Sequence, residues 1–448
     1  VLPEGRRVFG TDGVRGVANT EISPDLAVAM ARAAGEGLDR PVVVGRDTRR
    51  SGAMLAAALH AGFNSVGVDT VDLGIIPVGA VSHLTRATGS RYGVMVSASH
   101  NPAADNGIKF FGRDGSKLSD EHEDRLEARL RQGEPWQRPV GAAIGIQSTM
   151  TAATERYLEF LVERMPYSLH GMEIVLDCAN GAAFRAAPLL FEQLKASVEV
   201  LAAEPDGNNI NDGCGATHPR FLAKSAAGRL GLAFDGDADR LIAVDEDGVP
   251  TDGDVIMAII ARHLKEQGRL ERNIVVATVM SNLGFHRAME ELGIMVVQSP
   301  VGDRYVLEQM RANRAVLGGE QSGHVILEDR STGDGLRTAL RLLEVMAATG
   351  KPLTELRTVM TEYPQVLRNV SGVDRDRLPD ASALWEAVAA AEDELGTEGR
   401  VLVRASGTEP LVRIMVEAAS GVEAATIADG LAAVVRTELG DAAAAGPV

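Results

Sequence analysis

At 448 residues the chain is too long for one hydrophobic core, and length alone points to about three domains. Hydrophobic residues at 45% and charged residues at 24% describe a soluble globular protein with ample core material. A formal net charge of −17 argues against a general nucleic-acid or membrane-surface binder, so any anionic ligand must meet local cations. The two cysteines, Cys178 and Cys214, have neither metal-ligand spacing nor a disulfide pattern, which fits a reducing cytoplasm. No signal peptide and no apolar run long enough to span a bilayer is evident.

Near its start the chain carries FGTDGVRG, a Gly-rich loop that supplies Arg15. From Pro41 a β-branched run, PVVVGRDTRRSG, predicts a buried strand feeding a helix, MLAAALHAGF. A second strand (SVGVDTVDL), a loop (GIIP) and a third strand (RYGVMVS) follow. A polar stretch then leads to a returning strand, IKFF, closed by GRDG. The same order recurs from Glu173. There EIVLDCANGAA, FRAAPLLFEQLKA, SVEVLAAE, EPDGNN and LGLAF precede the return RLIAV and the turn DEDG. It recurs again from Asn273, through NIVVATVMSNLG, GIMVVQSP, VGDR and RAVLGG to the return HVIL and the turn EDRS.

Strand–helix–strand units imply parallel neighbours with helices on the faces, and the final return implies a mixed sheet. From about Tyr363 the pattern changes to QVLRNV (strand), SALWEAVAAAEDEL (helix), RVLVRAS and LVRIMVEA (strands) and EAATIADGLAAVVRTEL (helix). The expected fold is therefore α/β: three similar mixed-sheet domains at 1–145, 146–248 and 249–362, plus a smaller α+β domain at 363–448. After the third strand the three copies carry SASHNP, DGDADR and GEQSGH. Open α/β sheets place ligands at the ends of such strands, so three loops are expected to face one central cleft.

Asp235, Asp237 and Asp239 stand at alternate positions between two apolar strands. Three such carboxylates cannot all be buried without a cation, and hard oxygen ligands suit Mg²⁺ or Ca²⁺. Glu246 falls at the twelfth position of an EF-hand loop, but Arg240 replaces the required glycine and the flanks are strands, so Mg²⁺ with a phosphate partner is preferred. In RASGTEPLVR, Arg404, Ser406, Thr408 and Arg413 surround Gly407. Close backbone approach, hydroxyl donors and guanidinium groups suit a phosphate. In GEQSGH, Glu320, Ser322 and His324 mix donors and acceptors, as sugar hydroxyls require. GRDTRRSG, with Arg46 and Arg49, reads equally well as a solvated basic helix start.

Ser99 ends the third strand of the first copy, before an Asn-Pro turn. No G-x-S-x-G elbow surrounds it. Its neighbour His100 is expected on the opposite face of an extended segment, which disfavours a local Ser–His pair. Ser99 is better equipped to carry a phosphoryl group beside a metal than to attack an acyl group.

Together, TDGVRG, SASHNP, NGIKF, DGDADR, GEQSGH and RASGTEP, in this order, resemble the α-D-phosphohexomutase superfamily over nearly the whole chain. Within it, GEQSGH, CGATHP and VGDRYV are most similar to the bacterial phosphoglucosamine mutases, which interconvert glucosamine 6-phosphate and glucosamine 1-phosphate for amino-sugar biosynthesis. The resemblance implies that Ser99, rather than Ser97, is the phosphoserine, beside His100. It implies that Asp235, Asp237 and Asp239 bind Mg²⁺ together with Ser99, and that Glu320 and Ser322 hold sugar hydroxyls near His324. Arg404, Ser406, Gly407, Thr408 and Arg413 would grip the non-reacting phosphate, and a glucosamine 1,6-bisphosphate, or another sugar bisphosphate, would serve as intermediate. Lys109 is the implied proton-transfer residue, although a raised pKa beside a dianion would make it a charge stabiliser with Arg240. Arg15, Lys109, Arg240, Arg304 and Arg404 would supply local cations for a small-molecule phosphosugar. Position 405 is Ala where many relatives have Pro. The competing readings are a phosphomannomutase or phosphoglucomutase of the same fold, and a non-catalytic phosphosugar-binding protein. A cytoplasmic monomer or homodimer is expected.

Overall fold

The computed structural model of the protein describes residues 9–10, 12–328, 331–406 and 411–440. The first sheet contains β1 (Val14–Val17), β2 (Val42–Arg46), β3 (Thr70–Ile75), β4 (Tyr92–Val96), β5 (Asp105–Phe111) and β6 (Gln147–Thr149), in the order β1-β5-β4-β2-β3-β6. β4, β2 and β3 are parallel, and β5 returns antiparallel to β4. Every residue of β4, and all of β2 except Arg46, is buried. Burial on both faces is why these strands read as continuous apolar runs. The helices Gly52–Asn64 and Val78–Thr88 make the crossovers.

The second sheet contains β7 (Glu173–Asp177), β8 (Ser197–Leu201), β9 (Leu230–Phe234), β10 (Leu241–Val244) and β11 (Pro250–Thr251), in the order β11-β10-β9-β7-β8. The third contains β12 (Ile274–Thr278), β13 (Met295–Ser299), β14 (Gly318–Gly319) and β15 (Val325–Ile326), in the order β13-β12-β14-β15. All three sheets share one core: a first strand flanked by parallel second and third strands, with a fourth strand antiparallel to the third. The expected repeat is therefore present in the topology. The third copy is the most compressed. A Cβ on Gly319 would lie 2.5 Å from the His324 carbonyl oxygen, so the short β14 can sit beside β15 only as glycine.

Each of the first two sheets gains a short outer strand near an expected boundary. The first sheet runs past residue 145, because β6 pairs parallel with β3 from Thr70↔Gln147 to Asp72↔Thr149. The second runs past residue 248, because β11 pairs with β10 across the DEDG turn. An exposed strand edge gains hydrogen bonds by recruiting the next extended segment.

The chain divides into two compact units. One holds the three sheets, up to Met280 and from Leu292 to Val359. The other holds Ser281–Glu291 and the chain from Met360 on. In the second unit β16 (Gln365–Ser371), β17 (Arg400–Ala405) and β18 (Leu411–Glu417) form an antiparallel sheet in the order β16-β18-β17, with the helices Ser382–Leu395 and Gly421–Leu439. This is the expected α+β pattern. The helix Leu283–Glu291, expected with the third repeat, belongs here. The Asn282 side chain pairs with both the N–H and the C=O of Tyr363 at 2.9 Å, and the Leu283 N–H donates to Glu417 at 2.9 Å. No helix among the described residues is long and apolar enough to cross a membrane.

The helix Gly335–Thr349 starts against the acidic loop, with the Gly335 N–H donating to Ala238 O at 2.9 Å. Its N-cap, Asp334, accepts from the Arg337 N–H at 3.1 Å and from the buried Tyr157 hydroxyl at 2.7 Å. Asp334→Ala removes the cap and the carboxylate that accepts from the Tyr157 hydroxyl. It is expected to destabilise this unit by about 2–3 kcal/mol, read as a lower urea midpoint.

Candidate active site

Beyond β4 the chain turns sharply, and Ser99 takes φ 51°, in the left-handed region that non-glycine residues rarely adopt. The surroundings hold it there. Arg49, fully buried and paired with Asp47 at 2.9 Å, donates to the carbonyls of Ser99 (2.9 Å), Asn101 (2.8 Å), Asp105 (3.1 Å) and Pro102. Asn211 adds a second donor to Ser99 O at 2.9 Å. Arg49 is thus a buried staple, not a solvated helix start. Ser97 is fully used: its hydroxyl donates to Asp47 at 2.7 Å and accepts from the Ser99 N–H at 2.9 Å. The Ser99 hydroxyl instead donates to Asp235 Oδ2 at 2.5 Å.

One expectation about Ser99 fails. Its Oγ lies 3.3 Å from His100 Nδ1, because the left-handed turn folds adjacent side chains together where an extended backbone would separate them. Burial, then the nearby Arg240 and Arg15 charges, bring the His100 pKa down to about 4, so the imidazole is neutral at pH 7.

Asp235, Asp237 and Asp239 follow β9. A Cβ on Gly236 would lie 2.4 Å from Ser99 O, so glycine is what lets the acidic and serine loops meet. The three carboxylates are buried, with ligand atoms all within 4.8 Å of one another. Burial, with Asp239 and Asp237 adding to it, pushes the Asp235 carboxyl well above the carboxylate range. For Asp239 burial acts in the same direction, but Lys109, His324 and Arg240 outweigh it and hold the group well below that range. Asp237 Oδ1 and Asp239 Oδ1 are buried without a hydrogen-bond partner. Unpartnered hard oxygen donors of this kind fit a divalent cation such as Mg²⁺, and Ser99 Oγ is the adjacent fourth oxygen.

Cations surround this cluster. Lys109, on β5 and fully buried, places Nζ 2.8 Å from Asp237, 3.0 Å from Asp12 and 3.6 Å from Asp239. Burial alone would lower its pKa, but these three carboxylates raise it, so Lys109 is an ammonium ion. Arg15 pairs with Asp12, and Arg240 Nε lies 3.8 Å from Asp239. The Nε atoms of Arg15 and Arg240 are buried without a hydrogen-bond partner, and guanidinium N–H groups suit oxyanions.

Glu320, Ser322 and His324 follow β14. Glu320 accepts from the Gly302 N–H at 3.0 Å and from the Ser322 hydroxyl at 3.3 Å. The Gly333 N–H donates to His324 Nε2 at 3.1 Å, which leaves Nδ1–H facing Asp239 at 3.5 Å. This loop is stitched to the acidic loop by an Arg240↔His324 bridge and by the Leu241 N–H to Gly323 O. Arg304 departs from expectation. Its buried guanidinium is committed to Asp120 and to Glu123 (2.6 Å) on the helix Asp120–Gln132, so its charge is already neutralised.

In the second unit Arg404 and Arg413 are direct cross-strand partners. Burial, then Arg413, lowers the Arg404 pKa. Like charges placed opposite each other destabilise a sheet unless an anion joins them. Ser406 is buried, and its N–H closes the loop onto Leu411 O at 2.9 Å. Gly407 and Thr408 lie outside the described residues. Sequence reasoning missed Asp12, Lys117 and Asp303. Asp12 lay in view within TDGVRG and Asp303 within VGDRYV, but nothing in the spacing showed what they pair with.

Three like α/β units and a smaller α+β domain, with a serine beside a buried carboxylate triad, are the arrangement of the hexose-phosphate mutase class. Models of the four phosphoglucomutase/phosphomannomutase domains match in order: α/β/α domain I at 6–136, domain II at 155–248, domain III at 252–363 and the C-terminal domain at 355–434. The chain belongs to this family. It is 53% identical over 421 residues to the phosphoglucosamine mutase of Desulforudis audaxviator, covering 92% of this chain and 94% of the relative. It is 51% identical over 450 residues to that of Streptomyces griseus, covering 97% and 100%. Among solved structures, a phosphoglucomutase/phosphomannomutase family protein from Burkholderia thailandensis superposes with a TM-score of 0.80 at 27% identity, over 96% of this chain and 97% of that one. The N-acetylphosphoglucosamine mutase of Aspergillus fumigatus, in complex with GlcNAc-6P and magnesium, shares the fold at a TM-score of 0.70 and 19% identity, over 97% and 96%.

If the triad holds a cation, millimolar Mg²⁺ should raise the melting temperature of the wild type by several degrees. Asp237→Asn should lose that response. Equal shifts in both proteins would place the ion elsewhere.

Proposed function

We propose that the protein interconverts glucosamine 6-phosphate and glucosamine 1-phosphate through a phosphoserine at Ser99. The observation that carries this reading is the Ser99 hydroxyl, 2.5 Å from the buried Asp235 carboxylate, beside Asp237 and Asp239 oxygens that lack a hydrogen-bond partner. The near full-length likeness to phosphoglucosamine mutases supports the amino sugar over mannose or glucose. Asp235, Asp237 and Asp239 would hold Mg²⁺ with Ser99. When bound, that ion supplies positive charge against the phosphoryl oxygens.

In the first half-reaction the bond between Ser99 Oγ and phosphorus breaks as a sugar hydroxyl oxygen bonds to the same phosphorus, giving the 1,6-bisphosphate, and the hydroxyl's proton ends on the freed Ser99 Oγ. Return of the other phosphoryl group to Ser99 completes the exchange. Lys109, held as an ammonium, stabilises charge instead of accepting the hydroxyl proton, and Arg15 and Arg240 present N–H groups to the phosphoryl oxygens. The neutral His100 imidazole meets Ser99 Oγ without adding charge. Glu320 and Ser322 orient the sugar hydroxyls. Arg404, Ser406 and Arg413 take the idle phosphate, whose two negative charges would relieve the repulsion across β17 and β18. Serine, metal, sugar and phosphate loops thus fall one to each successive domain. The free, buried Cys178 and Cys214 fit a reducing cytoplasm.

The test is a panel of glucosamine, mannose and glucose phosphates with Ser99→Ala alongside. The amino sugar should be turned over fastest, and Ser99→Ala should lose at least about a thousand-fold with an unchanged circular dichroism spectrum. Excess chelator should stop turnover. Equal or faster turnover of the neutral sugars, or an active Ser99→Ala variant, would refute the reading.

A further inference from the structure

Lys117 sits in the turn after β5, bridged antiparallel to Phe111. Its side chain is only 8% exposed. Its ammonium bonds to two carboxylates at once: Asp12 Oδ1, from the N-terminal loop, and Asp303 Oδ2, at the start of the helix Asp303–Asn313. Asp12 turns its other oxygen to Arg15 and to Lys109, the latter at 3.0 Å. Lys109 in turn donates to Asp237 at 2.8 Å. Five side chains of alternating sign thus run from the third repeat, through the first, to the acidic loop of the second: Asp303, Lys117, Asp12, Lys109 and Asp237.

The far end of this chain is anchored independently. The residue after Asp303, Arg304, is paired with Asp120 and Glu123, and Arg311, two turns on, reaches Asp114 at 3.0 Å. The residue before it, Gly302, donates to Glu320. The turn carrying Asp303 therefore keeps its place without Lys117, whereas Asp12 depends on Lys117 for its Oδ1 contact. Without that cation Asp12 faces another buried carboxylate, and repulsion between the two turns it away from Lys109.

We propose that Lys117, anchored by Asp303, is a positioning residue that holds Asp12 against Lys109 and so fixes the Lys109 ammonium over the acidic loop. This rests on the reading of Lys109 as the charge stabiliser of phosphoryl transfer. Lys117 itself touches neither the serine nor the triad in the contacts described above. Its effect belongs in the turnover step, because a displaced ammonium is felt most where charge develops.

The test measures kcat and KM for glucosamine 1-phosphate formation, together with the nitrogen NMR resonance of the Lys109 ammonium, in four variants. Lys117→Met should lower kcat about a hundred-fold with KM within about three-fold of wild type. Asp303→Asn, which leaves the Lys117–Asp12 pair in place, should lower kcat about ten-fold and keep the protein folded should Lys117→Met fail to fold. Lys117→Met/Asp303→Asn should be no worse than Lys117→Met, since both act on one chain. Lys117→Arg should recover most of kcat. The Lys109 resonance should move in the Met and Asn variants and return in Lys117→Arg. Unchanged kcat and an unmoved resonance in Asp303→Asn and Lys117→Met would overturn the proposal, as would additive losses in the double variant. If the wild type turned over none of the sugar phosphates while the resonance still moved, the positioning would stand and the mutase reading would fall.

Discussion

Three carboxylates buried within 4.8 Å of one another cannot all be ionised unless positive charge is brought to them. The rest of the first unit is arranged around that constraint. Lys109 reaches in from β5, Arg240 continues the acidic loop itself, and the Nδ1–H of His324 is turned toward Asp239. These contacts hold Asp239 ionised, while Asp235 keeps its proton preference and accepts the Ser99 hydroxyl. One oxygen each on Asp237 and Asp239 is buried without a hydrogen-bond partner, and such oxygens suit a divalent cation. On the proposed reading, a phosphoryl group on Ser99 would place its negative charge beside oxygens that suit a cation.

The geometry at Ser99 is imposed by its neighbours. The left-handed backbone is unfavourable for serine by about 1–2 kcal/mol. Arg49 and Asn211 supply the opposing hydrogen bonds to its carbonyl, and Gly236 gives way so that the acidic loop can close in. The second unit shows the complementary case. There two arginines face each other across β17 and β18, an arrangement that favours an anion between them as the triad favours a cation. A chain of net charge −17 thus concentrates cations in a few places, as an anionic ligand requires.

Much of this could be read from the residues. The threefold order of strands and helices is local in sequence, and apolar runs such as VVVGR and YGVMV signal strands buried on both faces. The loops carrying Ser99, Asp235 and Glu320 could be singled out because each falls after the third strand of its copy, where such sheets place ligands. What was not legible depends on partners far apart in the chain. Lys117 with Asp12 and Asp303, and Arg304 with Asp120 and Glu123, join segments that no periodicity relates. The Ser99–His100 contact was misjudged because one left-handed residue reverses the alternation of side chains. The outer strands β6 and β11 went unseen because they are short and polar, and they are strands only through the edges they join.

The most direct measurement is the intact mass of the Mg²⁺-loaded protein after incubation with glucosamine 1,6-bisphosphate, followed by mapping of the modified peptide. One phosphoryl group per chain, on Ser99 and absent when Ser99 is replaced, is the expected result. A chain that takes up no phosphate, or takes it up at another residue with Ser99 unmodified, would contradict the assignment of Ser99 as the carrier beside the acidic loop.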